Sequence, residues 1–285
     1  MKKFIPLLIS FTFTITLFYP LAGQAFANEI ITHGPRLKKQ VALTFDADMT
    51  SGMLDDILSG RIATQYDKKI TNYLISRQIP ATFFITGLWA QNYPKETKAL
   101  ASVPYFEIGN HTFSHTAWTN NCFNLSQVNN KIDEVLNTQK ILTKLTGYEP
   151  KYFRFPGGCA DQTDIKFVND LNLQTIGWEV ASGDAFGNNT DKIIKKVLKE
   201  TRRGSIIVFH LSGGKNAPKT FEALPVIIRE LSKRGYSFVT ISELLTTNKP
   251  TVTKKSSPQK PINYWVMNEE TINKNPKSEY LNPND

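Results

Sequence analysis

This 285-residue sequence holds only two cysteines and four histidines. Two cysteines cannot build a disulfide scaffold or a cysteine-rich zinc module. Long apolar runs are missing everywhere except at the N-terminus, which excludes a polytopic membrane protein. Collagen and coiled-coil patterns are absent, and there are no internal repeats. What remains is a globular composition: 40% hydrophobic, 11% aromatic and 21% charged residues. The length suits one large α/β domain or two small ones. The net charge of +9 points to polyanionic surroundings without naming them.

The N-terminus bears on the compartment. Lys2 and Lys3 precede an apolar run from Phe4 to Leu21, which ends in Ala25-Phe26-Ala27. A basic start, an apolar middle and an A-x-A exit describe a secretory signal peptide, residues 1–27, cut after Ala27. The other reading, an uncleaved anchor, is weakened by Pro6 and Pro20 inside or beside the run. Cleavage leaves 258 residues with 32 basic and 25 acidic side chains, a net +7. The expected location is secreted, periplasmic or cell envelope, with no stable membrane insertion afterwards. An exported protein meets envelope polyanions first, so its charge does not argue for nucleic acid, and none is expected as a partner.

From about residue 40 to 246, short β-type runs alternate with stretches of helical spacing. The β-type runs are Val41–Phe45, Ala81–Thr86, Tyr105–Ile108, Tyr152–Phe155, Leu173–Ile176, Ser205–Phe209 and Ser237–Thr240. Leu125, Val128, Ile132, Val135, Leu142 and Leu145 predict a helix that starts at Asn124 and stops at Gly147. Thr190 predicts a cap for a helix carrying Ile193, Ile194, Val197 and Leu198, and Phe221, Leu224, Ile228 and Leu231 predict another. Such alternation means a parallel sheet, open or closed into a barrel. Residues 28–39 read as a lead-in. Residues 247–285 read as a flexible polar tail with one apolar knot, Tyr264–Met267. Met49–Tyr66 reads as a loop, placed over a site or simply inserted at the surface.

Residues able to do chemistry stand where the predicted strands end. Val41–Phe45 runs into Asp46-Ala47-Asp48, and Tyr105–Ile108 leads to His111 and His115. Tyr152-Phe153 leads to Arg154-Phe155-Pro156-Gly157, Leu173–Ile176 leads to Trp178 and Asp184, and Ile206–Phe209 stops at His210. In a parallel α/β barrel these ends share one face, so five segments converge on one candidate site. His111-x-x-x-His115 is the best metal candidate, and a nearby carboxylate would complete a three-ligand set. His33 stands outside this group and reads as surface.

Thr44-Phe45-Asp46, His111-Thr112-Phe113-Ser114-His115, Arg154-Phe155-Pro156-Gly157, Asp184 and Val208-Phe209-His210 resemble, in order and spacing, the five motifs of the polysaccharide deacetylases. These are carbohydrate esterase family 4, with the NodB-homology domain, and the resemblance spans residues 40–246. It implies a distorted (β/α)7 barrel that hydrolyses N-acetyl groups from amino sugars in a polymer. It also implies Asp46 as general base, His210 as general acid, Arg154 orienting the base, and a divalent metal, most often Zn2+, on His111 and His115. Trp178, Phe155, Pro156 and Gly157 then fall near substrate.

The sequence departs from that family in two places. The usual second aspartate is Ala47, and the next carboxylate, Asp48, comes one residue later. On a strand that shift turns the side chain to the other face, so Asp48 is expected as third ligand only if the chain leaves the strand at Phe45 or Asp46. The fourth motif has Ala181 where the family has the aspartate expected to orient the catalytic histidine, so Glu179 or Asp184 substitutes. Cys122 and Cys159 fall on loops of the same face, and whether they pair stays open. The expected partner is an acetylated glycan polymer, with peptidoglycan first and chitin-type oligomers or an exopolysaccharide behind it. Trp89, Trp118 and Trp178 are candidate sugar platforms. The rival reading is a non-catalytic glycan-binding protein that kept this fold.

Overall fold

A computed structural model describes residues 29–120, 122–212 and 216–246. The signal-peptide and tail expectations, with the Tyr264–Met267 knot, lie outside the described residues. An uninterrupted β-forming segment makes the central strand β1 (Gln40–Ala47), and seven of its eight residues are buried. Burial on both faces is what a parallel sheet between two apolar layers demands. The other strands are β2 (Ala81–Ile85), β3 (Phe106–Asn110), β4 (Tyr152–Phe153), β5 (Gln174–Thr175), β6 (Val180–Ala181), β7 (Ile206–His210) and β8 (Ser237–Val239). The helices are α1 (Ser51–Leu58), α2 (Lys68–Ser76), α3 (Gly87–Asn92), α4 (Pro94–Ser102), α5 (Lys131–Thr146), α6 (Gln162–Asp170), α7 (Thr190–Glu200), α8 (Thr220–Lys233) and α9 (Ile241–Leu245).

The sheet path is β5-β4-β3-β2-β1-β7-β6, with β8 paired to the start of β1. Every ladder is parallel. The sheet curls into a distorted half-barrel, open between its edge strands β5 and β6. Strand parity sorts the side chains. Phe45 pairs in register with Phe83 and Phe209 and stacks on both rings, at 5.5 and 5.6 Å, on the helix side. Val41, Leu43 and Ala47 join that core, whereas Ala42 packs with Phe84 and Ile206 in a second cluster. The even residues of β1 therefore face the barrel interior.

The lead-in is part of the wall. Ile31 N–H donates to Thr175 O and Gly177 N–H donates to Ile31 O, at 3.0 and 2.8 Å, so the segment pairs with the end of β5. Gly34 N–H then donates to Gly204 O just before β7, at 2.8 Å. Arg36 clamps Glu179 through both guanidinium nitrogens, at 2.7 and 2.9 Å. Residues 31–36 thus bridge the region between β5 and β7, where the chain also inserts β6. That two-residue strand is one the sequence does not reveal.

Three helix expectations need correction. The helix expected from Asn124 begins at Lys131, capped by Asn130. Leu125 and Val128 carry helical spacing by coincidence, because Phe123 and Asn124 take φ of 49° and 58° and break the helix before it starts. The α7 cap is Asn189 rather than Thr190, whose hydroxyl instead donates to Glu222. The stretch Met49–Tyr66 holds a true helix, α1, capped by the Thr50 hydroxyl.

Candidate active site

Parity also delivers the carboxylates. Asp46 is the last inward residue of β1, and Asp48 lies one step past the strand with the same parity. The strand runs on to Ala47, which is fully buried on the helix side. The expectation that Asp48 needs an early exit from the strand is therefore corrected: residues two apart on a strand share a face. Position 47, not 48, faces away from the interior.

Arg154 comes in from the end of β4 and is completely buried. Its Nη1 donates to Asp46 Oδ1 at 2.6 Å and to Thr44 Oγ1 at 2.9 Å. Its Nη2 and Nε donate to the carbonyls of Gly177 and Ile176. The guanidinium lies 4.0 Å from the Phe84 ring centroid. Every direction around the cation is fixed, so the Asp46 carboxylate is held by one oxygen with the other left to face the cavity.

His111 follows β3. Its Nδ1 lies 2.8 Å from Arg154 O, and a carbonyl can only accept, so this nitrogen carries the proton. The Nε2 lone pair then faces Asp48 Oδ1 at 3.3 Å and Asp46 Oδ2 at 3.7 Å. His115 Nε2 lies 3.4 Å from the same Asp48 oxygen. Neither His111 Nε2 nor Asp48 Oδ1 has a hydrogen-bond partner, although both are buried. Two buried acceptors aimed at one another call for a cation between them. One atom from each of Asp48, His111 and His115 lies within 4.8 Å of the others, so the donor set fits a divalent metal.

The loop between the histidines is held against its own preferences. Thr112 and His115 take φ of 67° and 55°, the left-handed region that a β-branched residue avoids. Glu134, in the first turn of α5, supplies the restraint. Its carboxylate accepts from the N–H groups of Phe113 and Ser114 at 2.8 and 2.9 Å and from Ser114 Oγ at 2.6 Å. Thr112 N–H donates to Asn110 Oδ1. Sequence reasoning missed Glu134, because the start of this helix was misplaced.

His210 ends β7. Its Nδ1 lies 2.8 Å from Asp184 Oδ1, and its Nε2 lies 3.7 Å from Asp48 Oδ2. Asp184 is nearly fully buried and also accepts from His210 N–H, Ser182 Oγ and Thr220 Oγ1. Of the two candidate substitutes, Asp184 reaches the histidine, whereas Glu179 is spent on Arg36 and Ser205. Burial alone would lower the His210 pKa, but Asp184, with Asp48 and Asp46 behind it, raises it to about 10. Burial outweighs Asp48 at His115 and lowers that imidazole to about 4, the neutral form a metal ligand needs. Burial would raise Asp48, yet His115, His111 and His210 hold its carboxyl well below the usual range.

These groups open onto a cavity of about 480 Å³, which Trp178, Gly157, Ala181, Phe123, Phe186 and Met53 of α1 also line. Phe155 is corrected: its ring packs on Trp118 and Phe153 at 5.0 and 4.8 Å, beneath the site and out of substrate's reach. Pro156 is buried too, and from the 154–157 segment only Gly157 lines the cavity. Trp89 and Trp118 are core residues, 0% and 5% exposed, so neither is a sugar platform. Cys122 and Cys159 are bonded, which ties the Phe123 loop to the turn after Arg154. His33 is exposed, as read from sequence.

A half-barrel of parallel strands gathers buried carboxylates and imidazoles at its strand ends, the arrangement expected of a hydrolase of the carbohydrate esterase type. Residues 33–176 match the family model described as polysaccharide deacetylase. The chain is 32% identical over 218 residues to a peptidoglycan-N-acetylglucosamine deacetylase of Bacillus cereus, an alignment covering 76% of this chain and 72% of that protein. It is 28% identical over 216 residues to the peptidoglycan-N-acetylmuramic acid deacetylase PdaA of Bacillus subtilis, covering 74% and 73%. The crystal structure of the Bc1960 peptidoglycan N-acetylglucosamine deacetylase superposes with a TM-score of 0.64 at 30% identity, covering 78% of this chain and 95% of that one. The chain belongs to the polysaccharide deacetylase family, carbohydrate esterase family 4, and is a polysaccharide deacetylase.

Proposed function

We propose that this chain is a secreted, metal-dependent enzyme that removes N-acetyl groups from the amino sugars of peptidoglycan. The observation that carries the reading is a carboxylate held by a buried arginine and an imidazole held by a buried aspartate, both beside one ligand triad. Asp48 Oδ1 lies 3.3 and 3.4 Å from the two ligand imidazoles, and Asp48 Oδ2 lies 3.7 Å from His210. A glycan-binding protein has no use for a buried arginine on one carboxylate and a buried aspartate on the acid. Peptidoglycan is favoured over other acetylated glycans because the relatives act on it.

Asp48, His111 and His115 would hold the metal, Zn2+ in our reading. When bound, it supplies Lewis acidity and makes a water acidic enough to lose a proton near neutral pH. Asp46 would act as the base at Oδ2, the oxygen Arg154 leaves free. Arg154 keeps this carboxylate ionised and aimed, so the base is ready before substrate arrives. His210 is charged at neutral pH and gives its proton to the departing amine, which is too basic to leave as an anion. Asp184 holds the imidazole by Nδ1 and thereby presents the Nε2 proton to the cavity. Trp178 and Gly157 would border the acetyl group.

Acetate release from N-acetylglucosamine oligomers and from peptidoglycan, with and without a chelator, tests the reading. Asp46→Asn should keep its metal and lose turnover, while Asp48→Ala should lose both. Wild-type protein that carries metal, binds glycan and releases no acetate would return the non-catalytic reading. Asp48→Ala with full metal and turnover would remove Asp48 from the ligand set.

A further inference from the structure

Two of the most exposed large apolar side chains among the described residues stand together at the mouth of the cavity. Phe123 is 59% exposed and Phe186 is 79% exposed. They come from different walls. Phe123 lies in the loop tied by the Cys122–Cys159 bond, and Phe186 lies two residues past Asp184 in the segment before α7. Their rings stack at 5.4 Å with planes 28° apart, and both line the same cavity as Asp46, His115 and His210.

Water-exposed phenylalanine is costly to keep, since burying one such ring stabilises a protein by roughly 1.5–3 kcal/mol. Phe123 also sits at φ 49°, followed by Asn124 at 58°, a conformation that costs a bulky residue about 1–2 kcal/mol. The loop is braced to keep that position. Gly157 presses against it so tightly that a Cβ there would stand 2.7 Å from Cys122 Sγ and 2.9 Å from the Phe123 ring. An apolar face held open beside an acid–base pair fits a partner with an apolar face of its own. The C–H face of a pyranose is such a surface. Phenylalanine offers no hydrogen bond, so the contact reads ring shape alone.

We infer that Phe123 and Phe186 form an aromatic platform for the sugar ring next to the one losing its acetyl group, so that the enzyme prefers chains to short acetylated molecules. The inference rests on the glycan deacetylase reading above, and the experiment separates the two.

Phe186→Ala, Phe123→Ala and Phe186→Tyr are compared on N-acetylglucosamine hexamer and on ethyl acetate, a short ester with no ring to stack. Each alanine variant should lose about tenfold in kcat/KM on the hexamer, mostly through KM, and lose far less on the small ester. Phe186→Tyr should restore the hexamer value. Equal losses on both substrates, or none on the hexamer, would overturn the platform. Phe186 is so exposed that its alanine variant has little reason to misfold, which keeps the test valid if Phe123→Ala does. Hexamer binding is also followed by tryptophan fluorescence in an Asp46→Asn background. If wild type releases no acetate but Phe186→Ala still weakens this binding about tenfold, the deacetylase reading falls and the platform stands.

Discussion

Asp184→Asn isolates the acid half of the proposed reaction. The carboxylate accepts four hydrogen bonds, two on each oxygen: His210 Nδ1 and Ser182 Oγ on Oδ1, His210 N–H and Thr220 Oγ1 on Oδ2. An asparagine must turn its NH2 toward one pair. The backbone N–H of His210 cannot reverse, so the amide oxygen stays there and the NH2 faces Nδ1. That nitrogen must then accept, which favours the neutral imidazole. In the wild type, Asp184 is the largest contributor raising His210 to about 10, against burial. Without it burial opposes only Asp48 and Asp46, so the pKa should fall toward the ordinary value of about 6.5. The proton to be donated is present below the pKa and lost above it. At pH 8 a group titrating near 6.5 is about 3% protonated, so protonation alone costs about 30-fold, and misorientation brings the loss in kcat to about 10²–10³. The assay is acetate release by variant and wild type from pH 6 to 9, read as their ratio, which cancels titrations common to both. The ratio should climb steeply toward pH 6. A flat ratio, or a variant as active as wild type with circular dichroism unchanged, would refute His210 as the acid.

Glu134→Ala should weaken metal binding about 10- to 100-fold in competition with a chelator while the fold survives, because it frees the strained loop between the two ligand histidines. Unchanged affinity would make Glu134 a helix-end residue only. Replacing both Cys122 and Cys159 with serine opens a link of 37 residues, which should cost about 4 kcal/mol and lower Tm by about 10 °C in a thermal melt. Thiol titration of the unreduced, denatured protein should find none. Gly157→Ala forces a Cβ into Cys122 Sγ at φ 62°, so it should cost about 1–3 kcal/mol and raise KM for oligomers.

The site was legible in outline because a parallel sheet gathers its strand ends, and the sequence places Asp46, His111, Arg154 and His210 at four of them. Asp48 was legible too, once counted from Asp46 rather than from Ala47, since parity along β1 decides the face. Other features leave no sequence signal. β6 is two residues long, and no periodicity can show in two residues. Asn124 reads as a helix start, with Leu125 and Val128 in its spacing, yet Phe123 and Asn124 take a left-handed backbone beside Cys122, whose disulfide partner lies 37 residues away. Aromatic identity did not report exposure. Trp89 and Trp118, the larger rings, went into the core, and the exposed pair beside the site is phenylalanine.

The strap formed by residues 31–36 reorders the timing of folding. Its partners are Thr175, Glu179 and Gly204, and the Arg36–Glu179 contact spans 143 positions. The first described residues to leave the ribosome must therefore wait for nearly the whole domain before they find their bonds. β1, just behind them, finds β2 early but waits for β7 and β8. Loops this long close slowly, and contacts this distant in sequence form late. A chain with that arrangement stays open and threadable while it is being made, and it locks only when its C-terminal strands arrive.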